Sequence, residues 1–229
     1  MKKQIVTMRI GDYEPEICRL TMPTIEHFAK KSGCEYKVIT EPVFNAPSVT
    51  YEKFQLYQIS KGYDWTMFLD ADTLVHPDCP DWTEMISKDT VLFNCVDLNL
   101  NRFRANDWTR RSNNKNGACT WHVWFSDWCR DIWHPMMDMT WDECMDNIFP
   151  TVNELASGTC SKQHLIDDYL VTQNISRFGL KVTTVGDLLR QIGRGQDGYY
   201  FHLYACSSEH KLNEIKRVLG TWGIKIEGT

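Results

Sequence analysis

The sequence predicts an α/β protein built on a mostly parallel sheet flanked by helices, and three observations carry that prediction. The chain opens with a β-α-β pattern, a later segment repeats helix then strand, and between them an apolar run stops at two aspartates, Asp70 and Asp72. Parallel strands need a crossover connection, usually a helix, so alternating strand and helix patterns point to this class. With 229 residues, 42% hydrophobic and 24% charged, the chain is expected to fold as one domain, 1–229, with a full core.

In order, Lys3 to Ile10 reads as the first strand and Gly11-Asp12 as a turn. Ile17, Leu20, Thr24 and Phe28 recur at helical spacing as far as Gly33, a suitable residue just past a helix end, with a kink or break expected at Pro23. Cys34 to Ile39 alternates as a second strand. Thr50 can cap a helix running from Tyr51 to Ile59. Lys53 falls in its first turn, where a cation is disfavoured by about 0.3–1 kcal/mol, so either an anion compensates or the lysine is simply solvated.

Trp65 to Leu69 is a buried strand, and Thr90 to Val96 is another. Residues 97–118 carry Arg102, Arg104, Arg110, Arg111 and Lys115 among asparagines with little apolar periodicity; they read as a long loop, either a lid over an anionic substrate or a solvated excursion. Trp121, Trp124, Phe125, Trp128 and Ile132 resume helical spacing, an aromatic stripe that serves either as core or as a sugar platform, with core the commoner use. A helix follows from about Lys162, with Asp167 and Asp168 early in it, then a strand from Leu180 to Val185. Tyr199 to Tyr204 is short and strand-like, and Glu209 to Leu219 forms a terminal helix.

Several function classes are disfavoured. A net charge of −5 argues against a general nucleic-acid binder. No stretch approaches the roughly 18 apolar residues that span a bilayer. The nine cysteines are odd in number and show no C-x-x-C spacing, and no signal-like apolar region follows Met1, so they read as reduced thiols of a cytoplasmic protein. Nine tryptophans, several beside aspartate, suit either sugar rings or a large core.

The aspartate pair needs its context. With 18 aspartates in the chain, a D-x-D arises by chance about 1.4 times, and an aspartate after a strand often only bonds nearby backbone. At the end of a buried strand, however, ligands gather in α/β sheets, and two carboxylates there can hold a divalent cation against a phosphorylated substrate. A haloacid-dehalogenase phosphatase fits less well, because Thr73-Leu74 follows Asp72 directly and 69 residues precede Asp70. A sugar-phosphate nucleotidyltransferase would need a Gly-rich loop after the first strand, which the chain lacks.

The order of elements, the segment Tyr63-Asp64-Trp65-Thr66-Met67-Phe68-Leu69-Asp70-Ala71-Asp72-Thr73-Leu74-Val75 and a late His202 resemble the glycosyltransferases of the GT-A fold. That resemblance implies a single-domain, Rossmann-like α/β fold with a mixed, mostly parallel central sheet. It also implies transfer of a sugar from a nucleoside-diphosphate sugar, UDP- or GDP-linked, to a hydroxyl of a glycan or glycoconjugate, with Mn2+ or Mg2+ as cofactor. By resemblance, Asp70, Asp72 and His202 fall on the metal, and Thr7, Met8, Arg9, Lys53, Ala71, Asn116, Gly117 and Lys211 on the donor. Asp168 or Asp167 offers a catalytic base, which favours an inverting reaction. A catalytically silent sugar- or nucleotide-binding domain of the same fold is the alternative.

Overall fold

The computed structural model of the protein describes residues 1–94, 118–137, 140–143, 166–193, 198–203 and 206–225. Its centre is a six-stranded sheet formed by β1 (Lys3–Met8), β2 (Glu35–Ile39), β3 (Trp65–Asp70), β5 (Thr90–Phe93), β6 (His122–Ser126) and β7 (Lys181–Thr184), in the order β2-β1-β3-β6-β5-β7. β1 runs parallel to β2 and β3, and β5 parallel to β7, while β6 is antiparallel to both its neighbours. The sheet is therefore mixed and mostly parallel, as expected. Two further strands, β4 (Leu74–Val75) and β8 (Tyr200–Phe201), pair antiparallel as a small second sheet.

Period-two alternation divides the core between the faces of the large sheet. On one face Val6, Phe68, Val123 and Phe125 pack with Tyr51 and Phe54, from a 3-10 helix over Val49–Gln55, and with Ile166, Tyr169 and Leu170 of α3 (Ile166–Arg177). On the other, Ile5, Met67, Leu69 and Trp124 pack with Ile25, Phe28 and Ala29 of α1 (Pro15–Lys31) and with Leu188 and Leu189 of α4 (Val185–Gln191). Met67, Phe68 and Leu69 are 0% exposed, and each such side chain contributes about 1.5–3 kcal/mol relative to an exposed one. A third cluster joins Ile17, Leu20 and Leu74 to Ile215, Val218 and Leu219 of α5 (Ser208–Thr221).

The opening β-α-β is present, and Gly33 ends α1 as expected. Its φ of 64° lets Cys34 N donate to Ala29 O at 2.8 Å and Gly33 N to Lys30 O at 3.2 Å, closing the last turn. α1 runs unbroken through Pro23. The helix expected from Tyr51 to Ile59 is instead the 3-10 turn followed by the short α2 (Leu56–Ile59). The helical reading of Trp121 to Ile132 is corrected: the segment is strand β6 and then a 3-10 turn, Arg130–Trp133. Trp124, Phe125 and Ile132 are core, but Trp128 is 74% exposed. α4 was not anticipated, although Thr184 and Asp187 form a capping box at its start. The expected strand Tyr199 to Tyr204 shortens to Tyr200–Phe201, the strand expected from Thr90 to Val96 ends at Phe93 with Asn94 in a bend, and all of the 97–118 loop except Ala118 lies outside the described residues.

Candidate functional site

β3 ends at Asp70, and the next two residues form a turn in which Thr73 N donates to Asp70 O at 3.1 Å. Two threonines on the buried side of α1 hold this turn. Thr21 Oγ1 donates to Ala71 O at 2.5 Å, and Val75 N donates to Thr24 Oγ1 at 3.0 Å. The turn, rather than strand alternation, makes the two carboxylates converge. β4 then pairs with β8, Leu74 opposite Phe201, which sets the following residue, His202, across from the turn. His202 Nε2 lies 3.4 Å from Asp72 Oδ1 and 4.0 Å from Asp70 Oδ2. Ligand atoms of Asp70, Asp72 and His202 all fall within 4.8 Å of one another.

Cations surround this cluster. Lys53, far from being solvated, is buried with Nζ 2.9 Å from Asp70 Oδ1 and 2.8 Å from Asp167 Oδ2. Burial works against its charge, but Asp167 and Asp70 outweigh that and hold its pKa above the usual lysine value. Lys211, on the first turn of α5, places Nζ 2.6 Å from Asp72 Oδ2. Asp72 is 2% exposed; burial alone would raise its carboxyl, yet His202 and Lys211 hold it far below the ordinary carboxylate range. Tyr13 OH donates to Asp72 Oδ2 at 3.0 Å; the residue as a whole is 43% exposed, but desolvation of its hydroxyl and the Asp72 charge raise the phenol's pKa.

The segment from Thr120 to His122 completes the rim, and sequence reasoning missed its role. Thr120 binds both members of the acidic pair: its N donates to Asp168 Oδ1 at 2.9 Å, and its Oγ1 lies 2.6 Å from Asp167 Oδ2 and 2.7 Å from Asp168 Oδ1. Asp167 and Asp168 sit in the first turn of α3, as expected, 2% and 6% exposed. Trp121 O accepts from Asp70 N at 2.9 Å, and the Trp121 ring stacks on His202 with centroids 4.8 Å apart and planes at 15°. His122 is fully buried, and burial lowers its pKa to about 3. Tyr13, Thr120 and Trp121 lie far in sequence from the aspartates they serve, and no local spacing marks them.

The donor set suits a divalent cation. Four carboxylates, of Asp70, Asp72, Asp167 and Asp168, face the two ammonium groups of Lys53 and Lys211 in these contacts. Asp72 Oδ1 is buried with only the long His202 Nε2 contact at 3.4 Å and no hydrogen bond of ordinary geometry, which is costly for a carboxylate oxygen unless a cation meets it. Oxygen and imidazole donors together fit a divalent cation. Of the other expected donor residues, Thr7, Met8 and Arg9 lie at the end of β1, where Met8 pairs in register with Asp70. Thr7 is fully buried, while Met8 and Arg9 are half-buried. Asn116 and Gly117 lie outside the described residues. No described helix is long and apolar enough to cross a membrane.

No protein-family model matches the sequence, and no curated protein matches it. Solved structures do match. A glycosyltransferase involved in glycosylation of the major capsid of PBCV-1 superposes with a TM-score of 0.51 at 10% identity, over 95% of this chain and 100% of that one. The galactosyltransferase LgtC, in complex with donor and acceptor sugar analogues, gives 0.53 at 12% identity over 94% and 95%. A mutant Drosophila β-1,4-galactosyltransferase 7, in complex with manganese, UDP-Gal and xylobiose, gives 0.50 at 14% over 92% and 74%. At such identities the likeness speaks for the architecture, and with the mixed six-stranded sheet and Asp-x-Asp at the end of β3, the chain has the GT-A glycosyltransferase fold.

Proposed function

We propose that the protein, with residues 1–229 as one domain, is a metal-dependent glycosyltransferase. It moves a sugar from a UDP- or GDP-sugar to a hydroxyl of a glycan or glycoconjugate. The observation that carries this reading is the convergence of Asp70, Asp72 and His202 at the C-terminal end of β3, the rim where α/β sheets bind ligands. These residues would hold Mn2+ or Mg2+, which when bound supplies Lewis-acid stabilisation of the nucleoside diphosphate leaving group.

The chain's own residues divide the remaining work. Thr7, Met8 and Arg9 at the end of β1 are assigned to the base, and Ala71, Asn116 and Gly117 to close backbone approach to the donor. Lys211 is assigned to the diphosphate. Lys53 fixes Asp70 against Asp167. Asp168, or its neighbour Asp167, both held by Thr120, is assigned as the base that takes the acceptor hydroxyl proton, in an inverting transfer. A cytoplasmic location agrees with six unbridged cysteines among the described residues.

The deciding experiment incubates the full chain with a panel of nucleotide sugars and Mn2+, with and without glycan acceptors, and follows nucleoside diphosphate release. Metal-dependent release with one donor is expected. No release with any donor rejects the enzyme reading, and Mn2+-dependent nucleotide binding without release would identify a silent binding domain.

A further inference from the structure

We infer that Trp121 is a positioning residue for the metal centre, which holds the His202 imidazole by stacking and ties it to Asp70. The inference rests on the metal-site reading above. A metal-binding histidine is ordinarily oriented by a hydrogen bond from its other ring nitrogen to a carboxylate or carbonyl. Here the contacts of His202 among the described residues are Asp70 and Asp72, both on Nε2, and the Trp121 ring. No described acceptor holds Nδ1. The ring plane is set by the indole, at 4.8 Å and 15°, with the His202 side chain 10% exposed.

Trp121 also has a second link to the cluster. Its carbonyl accepts from Asp70 N at 2.9 Å, so one residue fixes the backbone of one carboxylate and the side chain of the imidazole. The two belong to different sheets: Asp70 ends β3, and His202 follows β8, which pairs with β4 over only two residues. So short a pairing fixes the His202 backbone weakly, and the Trp121 stack supplies the missing restraint on the ring. The chain N-terminal to Trp121 reaches Asp167 and Asp168 through Thr120, so a single backbone segment spans the candidate metal centre and the acidic pair.

The test measures Mn2+ affinity of the full chain by electron paramagnetic resonance of the free ion, with UDP or GDP present, for wild type, Trp121→Phe, Trp121→Leu and each change combined with His202→Ala. Loss of an orienting partner typically weakens metal binding about 10- to 100-fold, so Trp121→Leu is expected to fall in that range and Trp121→Phe to lose only a few-fold. On the His202→Ala background neither change should weaken binding further, which general damage to the fold would not produce. If Trp121→Leu does not fold, as judged by its thermal transition, Trp121→Phe decides alone: wild-type affinity, or an equal loss without His202, overturns the inference. Absence of Mn2+ binding by wild type overturns the metal-site reading and the role of Trp121 with it. Wild-type binding that Trp121→Leu leaves intact overturns the role of Trp121 alone.

Discussion

At one end of β3, Lys88 lies 3.1 Å from Asp64 and 3.4 Å from Asp127; at the other, Lys53 lies 2.9 Å from Asp70 and 2.8 Å from Asp167. The chemistry is the same, one ammonium between two carboxylates, but the surroundings differ. Lys88 is 53% exposed and its partners 37% and 56%, whereas Lys53 is 6% exposed and its partners Asp167 and Asp70 3% and 25%. Water and salt screen the first group, so its loss changes little. The second is held in a medium where an unpaired charge is expensive, and geometry there is fixed. The difference teaches that only one end of the strand is built to keep charges in place, and that end carries the candidate metal ligands.

The sharpest way to break the comparison is at the aspartates. Asp72→Asn is expected to abolish Mn2+-dependent binding of UDP or GDP in calorimetry, while Asp64→Asn at the other end leaves it unchanged; retained affinity in the first variant would remove the Asp-x-Asp from the donor site. Next comes stability. Lys53→Met strands Asp70 and Asp167 and should cost about 3–5 kcal/mol in urea unfolding. A cost no greater than that of Lys88→Met would mean that the buried group is not clamped.

A group buried without a charge partner sharpens the contrast further. His122, opposite Leu69 on β6, has its pKa lowered to about 3 by burial, against about 6.5 in the unfolded chain. Its stabilising contribution is complete above about pH 6.5 and is lost as pH falls toward about 3, with a slope of up to about 1.4 kcal/mol per pH unit. His122→Phe should flatten the stability profile between pH 6.5 and 4; an unchanged slope would deny the imidazole that role. The smallest expected effect is at the exposed end, where Lys88→Met should leave the thermal midpoint within error at both low and high salt. A clear salt-dependent drop would show that the exposed group is more rigid than its surroundings imply.

The parts of this fold that short-range pattern can encode were readable. Apolar run, turn and helix spacing mark β1, α1, β2 and β3, and the abrupt stop at Asp70 marks the rim. Lys53 was singled out because a cation early in a helix needs an anion, and it has two, although the turn holding it is 3-10. β6 was misread because Trp121, Trp124, Phe125 and Trp128 satisfy i, i+3, i+4 and i+7, while the strand places Val123 and Phe125 on one face and Trp124 on the other. Thr120, Trp121 and Tyr13 escaped for a different reason. Their roles come from the position of β6 beside β3 and of the α1 entry beside the turn, and such long-range juxtaposition leaves no local trace.

The two-residue pairing of β4 with β8 has a thermodynamic consequence. It places His202, from the last part of the chain, against aspartates from the first, so a cation shared among the three would act as a clasp closing a very long loop. Any ligand taken up only by the assembled chain adds stability in proportion to the logarithm of its concentration over its dissociation constant. Under that clasp, filling the centre and holding β8 against β4 would become one equilibrium.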